Sequence, residues 1–252
     1  MTDRDYRFLP ENEDRPVLVL GHSLGTTFSL WDPIFESLQK NFRLLFFNPH
    51  PRQMGDGDAS IEARGKELIQ IIEYLKLGQV DFCGVSMSGL IGQWLALEAP
   101  DRVRNLVLAN TAARIGKSES WQERMNLIQE KGLAQVASDL AGRWFSNSFT
   151  TQQPDVVQTF ADGLGDFPES DYLAGCQSLR DADLRERVAS IKARTLIVAG
   201  RYDRAVPLTD ADLLHNQIPS SRLITYPCGH LACIEFAEEF ANAVSDFLLG
   251  FP

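Results

Sequence analysis

Short apolar runs alternate with longer amphipathic segments through most of this chain. Six short runs have the pattern of strands. Five of them are apolar on both faces, as strands are in a parallel sheet covered by helices: 17–20, 44–47, 80–85, 106–109 and 195–199. The sixth run is 222–226. Strands separated by helices in this order predict a doubly wound α/β fold, a mostly parallel sheet flanked by helices.

The helices between these runs are predicted from apolar spacing and from residues that start or stop a helix. Ser60 is a candidate N-cap for a helix whose apolar residues recur on one face over 61–75. Segment 90–99 is a second helix, which ends before Pro100 because the residue preceding a proline disfavours the α region. Two further helices are predicted at 208–217 and 236–249.

The alternation stops between residues 113 and 190. This stretch has the pattern of consecutive short helices, in which aromatic residues are interleaved with polar ones. We interpret it as a helical cap inserted over the carboxyl ends of the strands, where ligands bind in sheets of this type. Most of its aromatic side chains are expected to pack the cap itself. The predicted domains are a core, 1–112 and 191–252, and a cap, 113–190.

The charge balance disfavours two classes of partner. The chain has 34 Asp and Glu residues against 24 Lys and Arg, a net charge of -10. Such a field repels nucleic-acid phosphates and anionic lipid headgroups, so neither nucleic acid nor a membrane is expected as a partner. A small anionic substrate would need a local basic group. The sequence leaves the oligomeric state open.

Other features predict a cytoplasmic protein without a cofactor or a metal. The first 16 residues contain no apolar segment of a secretory signal, and no apolar run approaches the roughly 18 residues of a membrane-spanning helix. The four cysteines are scattered without a CxxC pair, which is typical of reduced thiols. The four histidines show no HExxH spacing, and neither a Walker nor a GxGxxG loop occurs.

Two serines occupy candidates for the G-x-S-x-G elbow, a sharp turn from strand to helix that exposes a nucleophilic hydroxyl. Residues 21–25 match the pattern around Ser23, whereas 84–88 have Ser88 in the last position around Ser86. The elbow has to lead directly into a helix, because free N–H groups at a helix N-terminus stabilise negative charge. A helical pattern follows Ser86 at once, and none begins at Ser23. We therefore predict Ser86 as the nucleophile, and leave open whether Ser88 strains the turn or narrows the pocket.

An acid and a histidine follow two later strands, where the partners of a nucleophilic serine are expected. Asp203 stands on the loop after strand 195–199, and His230 stands on the loop after strand 222–226. Their order in the chain, Ser, Asp, His, is that of an α/β-hydrolase. Each residue alone also has a purely structural explanation. An aspartate can cap a turn, and a histidine can have its hydrogen bonds satisfied within a loop. Together they predict a catalytic triad.

The segment around Ser23 then has a second role. Acyl transfer needs two backbone N–H donors where the oxyanion forms. One is predicted from Met87, the residue after the nucleophile, and the other from Leu24, on the loop after an early strand. His22 is expected to be an architectural or pocket-wall residue rather than a second base, and Ser23 to contribute to substrate binding.

Eight motifs spread over the chain carry a more specific resemblance. They are SLGT at 23–26, WDP at 31–33, FCGVSMSGLIGQWLAL at 82–97, LVLANTAARI at 106–115, RWF at 143–145, LRDADLRE at 179–186, LIVAGRYD at 196–203 and GHLACIE at 229–235. In these segments the chain resembles the 3-oxoadipate enol-lactonase family, a branch of the α/β-hydrolases that opens a five-membered enol-lactone late in aromatic-ring degradation. The resemblance implies Ser86 as nucleophile, Asp203 and His230 as its partners, and a four-helix cap with Trp144 near the substrate.

The chain departs from the family pattern at four places. Ser88 replaces a glycine, and the loop at 48–53 reads NPHPRQ where the family has an Asp followed by Arg-Gly-His-Gly. The N-terminal segment is shorter and leaves room for one leading strand. Ala232 and Cys233 replace Ser-Asn. These changes preserve hydrolase chemistry and leave the exact substrate open.

The expected reaction is covalent hydrolysis of a small lactone or ester, most favourably 3-oxoadipate enol-lactone. The family substrate carries a free carboxylate, for which Arg143 and Arg124 in the cap are the candidate partners, although exposed arginines often serve solubility alone. One alternative is a carboxylesterase or a C–C-bond hydrolase of the same fold. Another is a non-catalytic binding or biosynthetic scaffold that retains the triad.

Overall fold

Seven strands form one sheet in the computed structural model, which describes residues 5–11, 13–50 and 58–250. The order across the sheet is β1-β3-β2-β4-β5-β6-β7, and every pair is parallel except β1 with β3. The strands are β1 (Tyr6–Leu9), β2 (Val17–Gly21), β3 (Arg43–Phe47), β4 (Val80–Val85), β5 (Val103–Ala109), β6 (Arg194–Gly200) and β7 (Ser221–Tyr226). The predicted α/β-hydrolase sheet is therefore confirmed.

The interior strands are buried on both faces, as their apolar runs predict. Every residue of β2 and β4 is buried, and β7 at the edge is only partly so. Five of the six predicted strands are longer in the structure, and the largest difference is in β5, which begins at Val103 instead of residue 106. The leading strand β1 pairs antiparallel with β3, in the register Tyr6 to Phe47.

Helices cover both faces of the sheet. Ser60 caps α2 as predicted, since its Oγ accepts a hydrogen bond from the amide of Ala63 at 3.1 Å. The helix assigned to 90–99 begins earlier, at Met87, so it follows Ser86 without a gap, as the choice of elbow predicts. The helices outside the insertion are α1 (Asp32–Leu38), α2 (Ile61–Tyr74), α3 (Met87–Glu98), α9 (Leu208–Gln217), α10 (Ala232–Glu235) and α11 (Ala237–Leu249).

Five helices, rather than the four implied by the family resemblance, lie between β5 and β6. The fifth arises because Gln153, whose backbone is not helical, separates a six-residue helix at 147–152 from the helix that begins at Pro154. Within the insertion α5 packs on α7, and α4 packs on α8. The five are α4 (Ser118–Lys131), α5 (Leu133–Ala141), α6 (Asn147–Gln152), α7 (Pro154–Gly165) and α8 (Glu169–Asp181). The boundaries of a core and a cap domain stay a prediction.

The parallel pairing brings the carboxyl ends of β2, β4, β5, β6 and β7 to one edge of the sheet. The loops at that edge contain both serine segments, Asp203 and His230. Among the helices of the described ranges, none is long and apolar enough to cross a membrane. The same ranges contain no group of three or more His, Cys, Asp or Glu side chains arranged to hold a metal ion.

Candidate active site

Ser86 occupies a strained turn between β4 and α3. Its backbone has φ 56° and ψ -114°, a conformation that costs a non-glycine residue on the order of 1–3 kcal/mol and persists only where the surroundings hold it. The amide of Ser86 donates to the carbonyl of Ala109 at 2.9 Å. Its own carbonyl accepts from Thr111 Oγ1 at 2.7 Å and from the amide of Gly89 at 2.8 Å. These bonds hold the residue in the geometry of a nucleophile elbow.

Ser23 lies in a different kind of turn. Its carbonyl accepts from the amide of Thr26 at 3.2 Å and from Thr26 Oγ1 at 2.8 Å, and α1 begins only at Asp32 after a short 3-10 turn. Gly25 has φ +74°, a left-handed conformation that glycine adopts without strain. The absence of a helix directly after Ser23 agrees with the choice of Ser86 as the better candidate nucleophile.

Asp203 and His230 form a buried pair. Nδ1 of His230 lies 2.8 Å from Oδ2 of Asp203, and both side chains are almost fully buried. The other carboxylate oxygen of Asp203 accepts from the amides of Ala205 at 2.8 Å and Val206 at 2.9 Å. Burial alone would raise the pKa of Asp203, but the charge and hydrogen bond of His230 and the two amides outweigh it, so the pKa lies below its ordinary value. The Asp203 carboxylate is therefore ionised at neutral pH.

Asn110 is a further member of this cluster that the sequence patterns did not identify. Its Nδ2 donates to Oδ2 of Asp203 and to the carbonyl of Gly229, both at 3.1 Å. The residue has φ 47°, a left-handed conformation that asparagine tolerates better than most residues. A polar residue directly after β5, the strand between β4 and β6, was the available signal. Its partner is 93 positions away in the chain.

A cavity of about 180 Å³ lies between the sheet edge and the insertion. Ser86 and His230 both line it, together with Ser23 and Leu24. The insertion contributes Ser120, Trp121, Arg124, Arg143, Trp144 and Tyr172. A larger groove of about 560 Å³ is lined by residues 145–148 and 201–204, and Ser86 is not among the residues that line it. The smaller cavity is the candidate site because it holds the candidate nucleophile and base.

Two arginines give this cavity positive charge in an otherwise acidic protein. Arg143 is exposed at the cavity wall, and the guanidinium of Arg124 lies 4.5 Å from the ring centroid of Trp121. Tyr172 beside them is buried, and burial raises its pKa to about 12 although both arginines act to lower it. Its hydroxyl is therefore neutral and can donate a hydrogen bond. The wall suits a small molecule with an anionic group.

Of the two candidate oxyanion donors, Leu24 lines the cavity and Met87 directly follows Ser86. Met87 is the first residue of α3, so its N–H is one of the amides that have no partner within the helix. Leu24 lines the cavity and precedes Gly25 at the left-handed turn. Amides at such positions present N–H groups toward developing negative charge.

Two of the four family departures, Ser88 and positions 232–233, do not line the cavity. Ser88 is buried, and its Oγ donates to the carbonyl of His22 at 2.6 Å. The ring of His22 in turn packs against Phe28 and His50, which agrees with an architectural role. Positions 232 and 233 are buried at the start of α10. In loop 48–53, Asn48 to His50 are placed, and the remaining positions lie outside the described residues.

Comparison with known proteins agrees with this geometry. Residues 16–237 match the model of the α/β hydrolase fold family. The chain is 32% identical to 3-oxoadipate enol-lactonase 2 of Acinetobacter baylyi, over 94% of this chain and 90% of that protein. The crystal structure of the enol-lactonase from Burkholderia xenovorans LB400 superposes with a TM-score of 0.91 at 31% identity, covering 97% and 95% of the two chains. The crystal structure of a hydrolase from Pseudomonas aeruginosa PA01 superposes with a TM-score of 0.90 at 32% identity, covering 96% of this chain and 93% of that chain. The chain is thus an α/β hydrolase, and it belongs to the 3-oxoadipate enol-lactonase family.

Proposed function

We propose that this enzyme opens a small lactone or ester by Ser-His-Asp covalent catalysis, with 3-oxoadipate enol-lactone as the favoured substrate. The observation that carries the proposal is the buried contact of 2.8 Å between His230 and Asp203, at a cavity also lined by the strained Ser86. A base oriented by an acid beside a serine elbow is the arrangement that acyl transfer requires. The family relationship favours a lactone as the acyl donor.

The residues have distinct roles in the proposed reaction. Ser86 Oγ attacks the lactone carbonyl while Nε2 of His230 takes its proton, and Asp203 stabilises the imidazolium that forms. The amides of Leu24 and Met87 hold the tetrahedral oxyanion. Collapse breaks the ring C–O bond and expels an enolate, which takes the proton from His230. The acyl-enzyme is then hydrolysed by a water that His230 deprotonates, and Ser86 recovers its proton.

The charged wall of the cavity supports a substrate that carries a carboxylate. Arg143, Arg124 and Trp144 all line the cavity. The two arginines are the proposed partners of the carboxylate, and Trp144 is the proposed apolar contact. A cavity of about 180 Å³ suits a compact substrate rather than a long acyl chain. On this basis we place the enzyme in aromatic-ring degradation. Its cytoplasmic location stays a prediction.

The direct test follows the loss of ultraviolet absorbance of 3-oxoadipate enol-lactone. We expect rapid turnover by the wild type and loss by several orders of magnitude in Ser86→Ala, because the nucleophile is removed. Ser23→Ala is expected to retain turnover, with its main effect on KM, since Ser23 only lines the cavity. Loss of turnover in Ser23→Ala with retention in Ser86→Ala would show that the other serine is the nucleophile.

Labelling with a serine-directed phosphonate separates the remaining alternatives. Labelling of Ser86 without turnover of the enol-lactone would indicate a carboxylesterase or C–C-bond hydrolase that acts on another acyl group. Absence of both labelling and turnover would indicate a scaffold without catalysis and would contradict the proposal. A panel of neutral and carboxylate-bearing esters then identifies the acyl group.

A further inference from the structure

Glu235, the last residue of α10, connects the insertion to the histidine loop. One carboxylate oxygen accepts hydrogen bonds from two backbone amides, that of Gly229 at 2.8 Å and that of Ser146 at 2.9 Å. The other oxygen accepts from Ser146 Oγ at 2.6 Å. Gly229 directly precedes His230, and Ser146 follows Trp144 by two positions. A single partly buried side chain therefore holds segments that are 83 residues apart.

The same two segments touch along their backbones. The amide of His230 donates to the carbonyl of Trp144 at 2.7 Å. A Cβ added at Gly229 would lie 2.7 Å from that carbonyl oxygen and from the carbonyl carbon of Phe145, so only glycine permits this approach. The two backbones are close because Gly229 has no side chain to separate them. Glu235 bonds to both segments next to this contact.

Glu235 also completes the restraint on the peptide before the histidine. The carbonyl of Gly229 accepts from Nδ2 of Asn110 at 3.1 Å, while its amide donates to Glu235. Both polar groups of Gly229 are therefore held, one by the core and one by α10. Because the backbone next to His230 cannot turn freely, the imidazole keeps its direction toward Asp203 and the cavity.

We propose that Glu235 is a positioning residue that sets the distance between the cavity wall formed by Arg143 and Trp144 and the imidazole of His230. This inference rests on the proposed function, because it assigns His230 as the base and Arg143 as a substrate contact. Glu235 does not line the cavity, so it acts through the two segments that it joins. Displacements of about 1 Å between catalytic groups and substrate cost on the order of a hundredfold in rate.

The proposal predicts a specific ranking of substitutions at position 235. Glu235→Ala leaves two amides and a hydroxyl without their acceptor, and kcat is expected to fall on the order of 10- to 100-fold. Glu235→Gln keeps the length: its Oε1 can accept from both amides, and its Nε2 can donate to Ser146 Oγ. This variant is expected to stay within about threefold of the wild type. Glu235→Asp keeps the charge but is one methylene too short. Its kcat should therefore lie between those of Glu235→Ala and Glu235→Gln.

The measurement is kcat and KM for the enol-lactone and for a neutral ester, at a temperature where circular dichroism shows each variant folded. For Glu235→Ala we expect lower kcat with both substrates and higher KM only with the carboxylate-bearing lactone, since Arg143 loses its position. Glu169→Ala is the matched control, because Glu169 accepts from the amide of Leu133 at 2.8 Å within the insertion and does not touch the histidine loop. Its kinetic constants should match the wild type.

Two results would overturn the proposal: a folded Glu235→Ala enzyme with wild-type kcat and KM, or Glu235→Asp more active than Glu235→Gln, which would show that charge rather than position matters. If Glu235→Ala does not fold, the kcat values of the other two variants test the proposal, and Glu235→Gln is expected to be more active than Glu235→Asp. Ser86→Ala is assayed in parallel. Turnover retained in that variant would contradict the proposed function itself, independently of the ranking at position 235.

Discussion

Asn110 and His230 contact the same carboxylate oxygen of Asp203. Nδ2 of Asn110 lies 3.1 Å from Oδ2, and Nδ1 of His230 lies 2.8 Å from it. An amide donor is suited to this place because it carries two hydrogens and no charge. The second hydrogen reaches the carbonyl of Gly229. Asn110 therefore orients both the acid and the histidine loop.

Replacement of Asn110 by aspartate is expected to reduce kcat/KM on the order of tenfold or more. The new carboxylate has the same shape and tolerates the left-handed backbone, but it cannot donate and it repels Asp203. Steady-state kinetics on the enol-lactone or an ester measure the effect. Asn126→Asp is the matched control, since Asn126 is exposed on α4 and accepts a hydrogen bond from nearby Gln122. An Asn110→Asp enzyme as active as the wild type would show that the bond to Asp203 is dispensable.

The positive charge at the cavity wall should strengthen the binding of anionic substrates and have little effect on neutral ones. Arg143→Met and Arg124→Met keep an aliphatic stem and remove the guanidinium, so KM for a carboxylate-bearing lactone is expected to rise by about tenfold or more. The constants for 4-nitrophenyl acetate should change little, because this ester has no carboxylate to pair. Arg114→Met serves as a control, since Arg114 pairs with Asp183 outside the cavity wall. An equal loss on both substrates would argue against a carboxylate subsite.

Ser88 is expected to affect stability rather than catalysis. Ser88→Ala removes the bond of 2.6 Å to the buried carbonyl of His22, which should lower the free energy of unfolding by about 1–3 kcal/mol. The hydroxyl faces His22 instead of the cavity, so kcat/KM should remain that of the wild type. Urea denaturation and ester kinetics on the same samples test both statements. A change in substrate preference without a change in stability would show that Ser88 shapes the pocket.

Acid should destabilise the fold through two of its buried histidines, His22 and His50. Burial lowers the pKa of His50 to about 4, with the Thr26 carbonyl opposing and Arg64 assisting the shift. Burial, together with the charge of His50, lowers the pKa of His22 as well. Between pH 6.5 and 4 the unfolded chain takes up a proton at position 50 and the folded chain does not. The free energy of unfolding therefore falls with decreasing pH, by at most about 1.4 kcal/mol per pH unit for each histidine.

Urea denaturation between pH 7 and 4.5 measures this slope. His50→Gln should make the slope shallower, because the residue that gains a proton on unfolding is gone. His215→Gln is the control, since His215 is exposed on α9 and its Nδ1 bonds to nearby Ser221. Parallel curves for the wild type and His50→Gln would show that His50 does not contribute to acid sensitivity.

The predicted strands and the choice of elbow depended on patterns that are local in the chain. The runs at 80–85 and 195–199 are apolar at nearly every position because their strands are covered on both faces, so their burial shows in composition alone. Strand β1 was less evident, since it is four residues long and mostly half-buried at the sheet edge. The helix after Ser86 was visible because nothing in 87–98 interrupts it.

The contacts that hold the site together were not visible in this way. Asn110 meets Asp203 across 93 positions, and Glu235 meets Ser146 across 89. Neither residue stands out among its neighbours, because an asparagine after a strand and a glutamate at the end of a short helix are common on protein surfaces. The number of helices in the insertion was also misjudged, since a break as short as Gln153 leaves little trace in the apolar pattern.

The sequence by itself determined the class of fold and the family, and it predicted the candidate serine, aspartate and histidine that follow three strands, because strand burial and turn chemistry depend on neighbouring residues. Only the tertiary structure decided which side chains orient these three and which close the cavity. Hydrogen bonds of about 3 Å depend on how β4, β5, β6 and β7 line up across the sheet and on where the insertion rests. That alignment is set by packing over the whole chain, so no local pattern contains it.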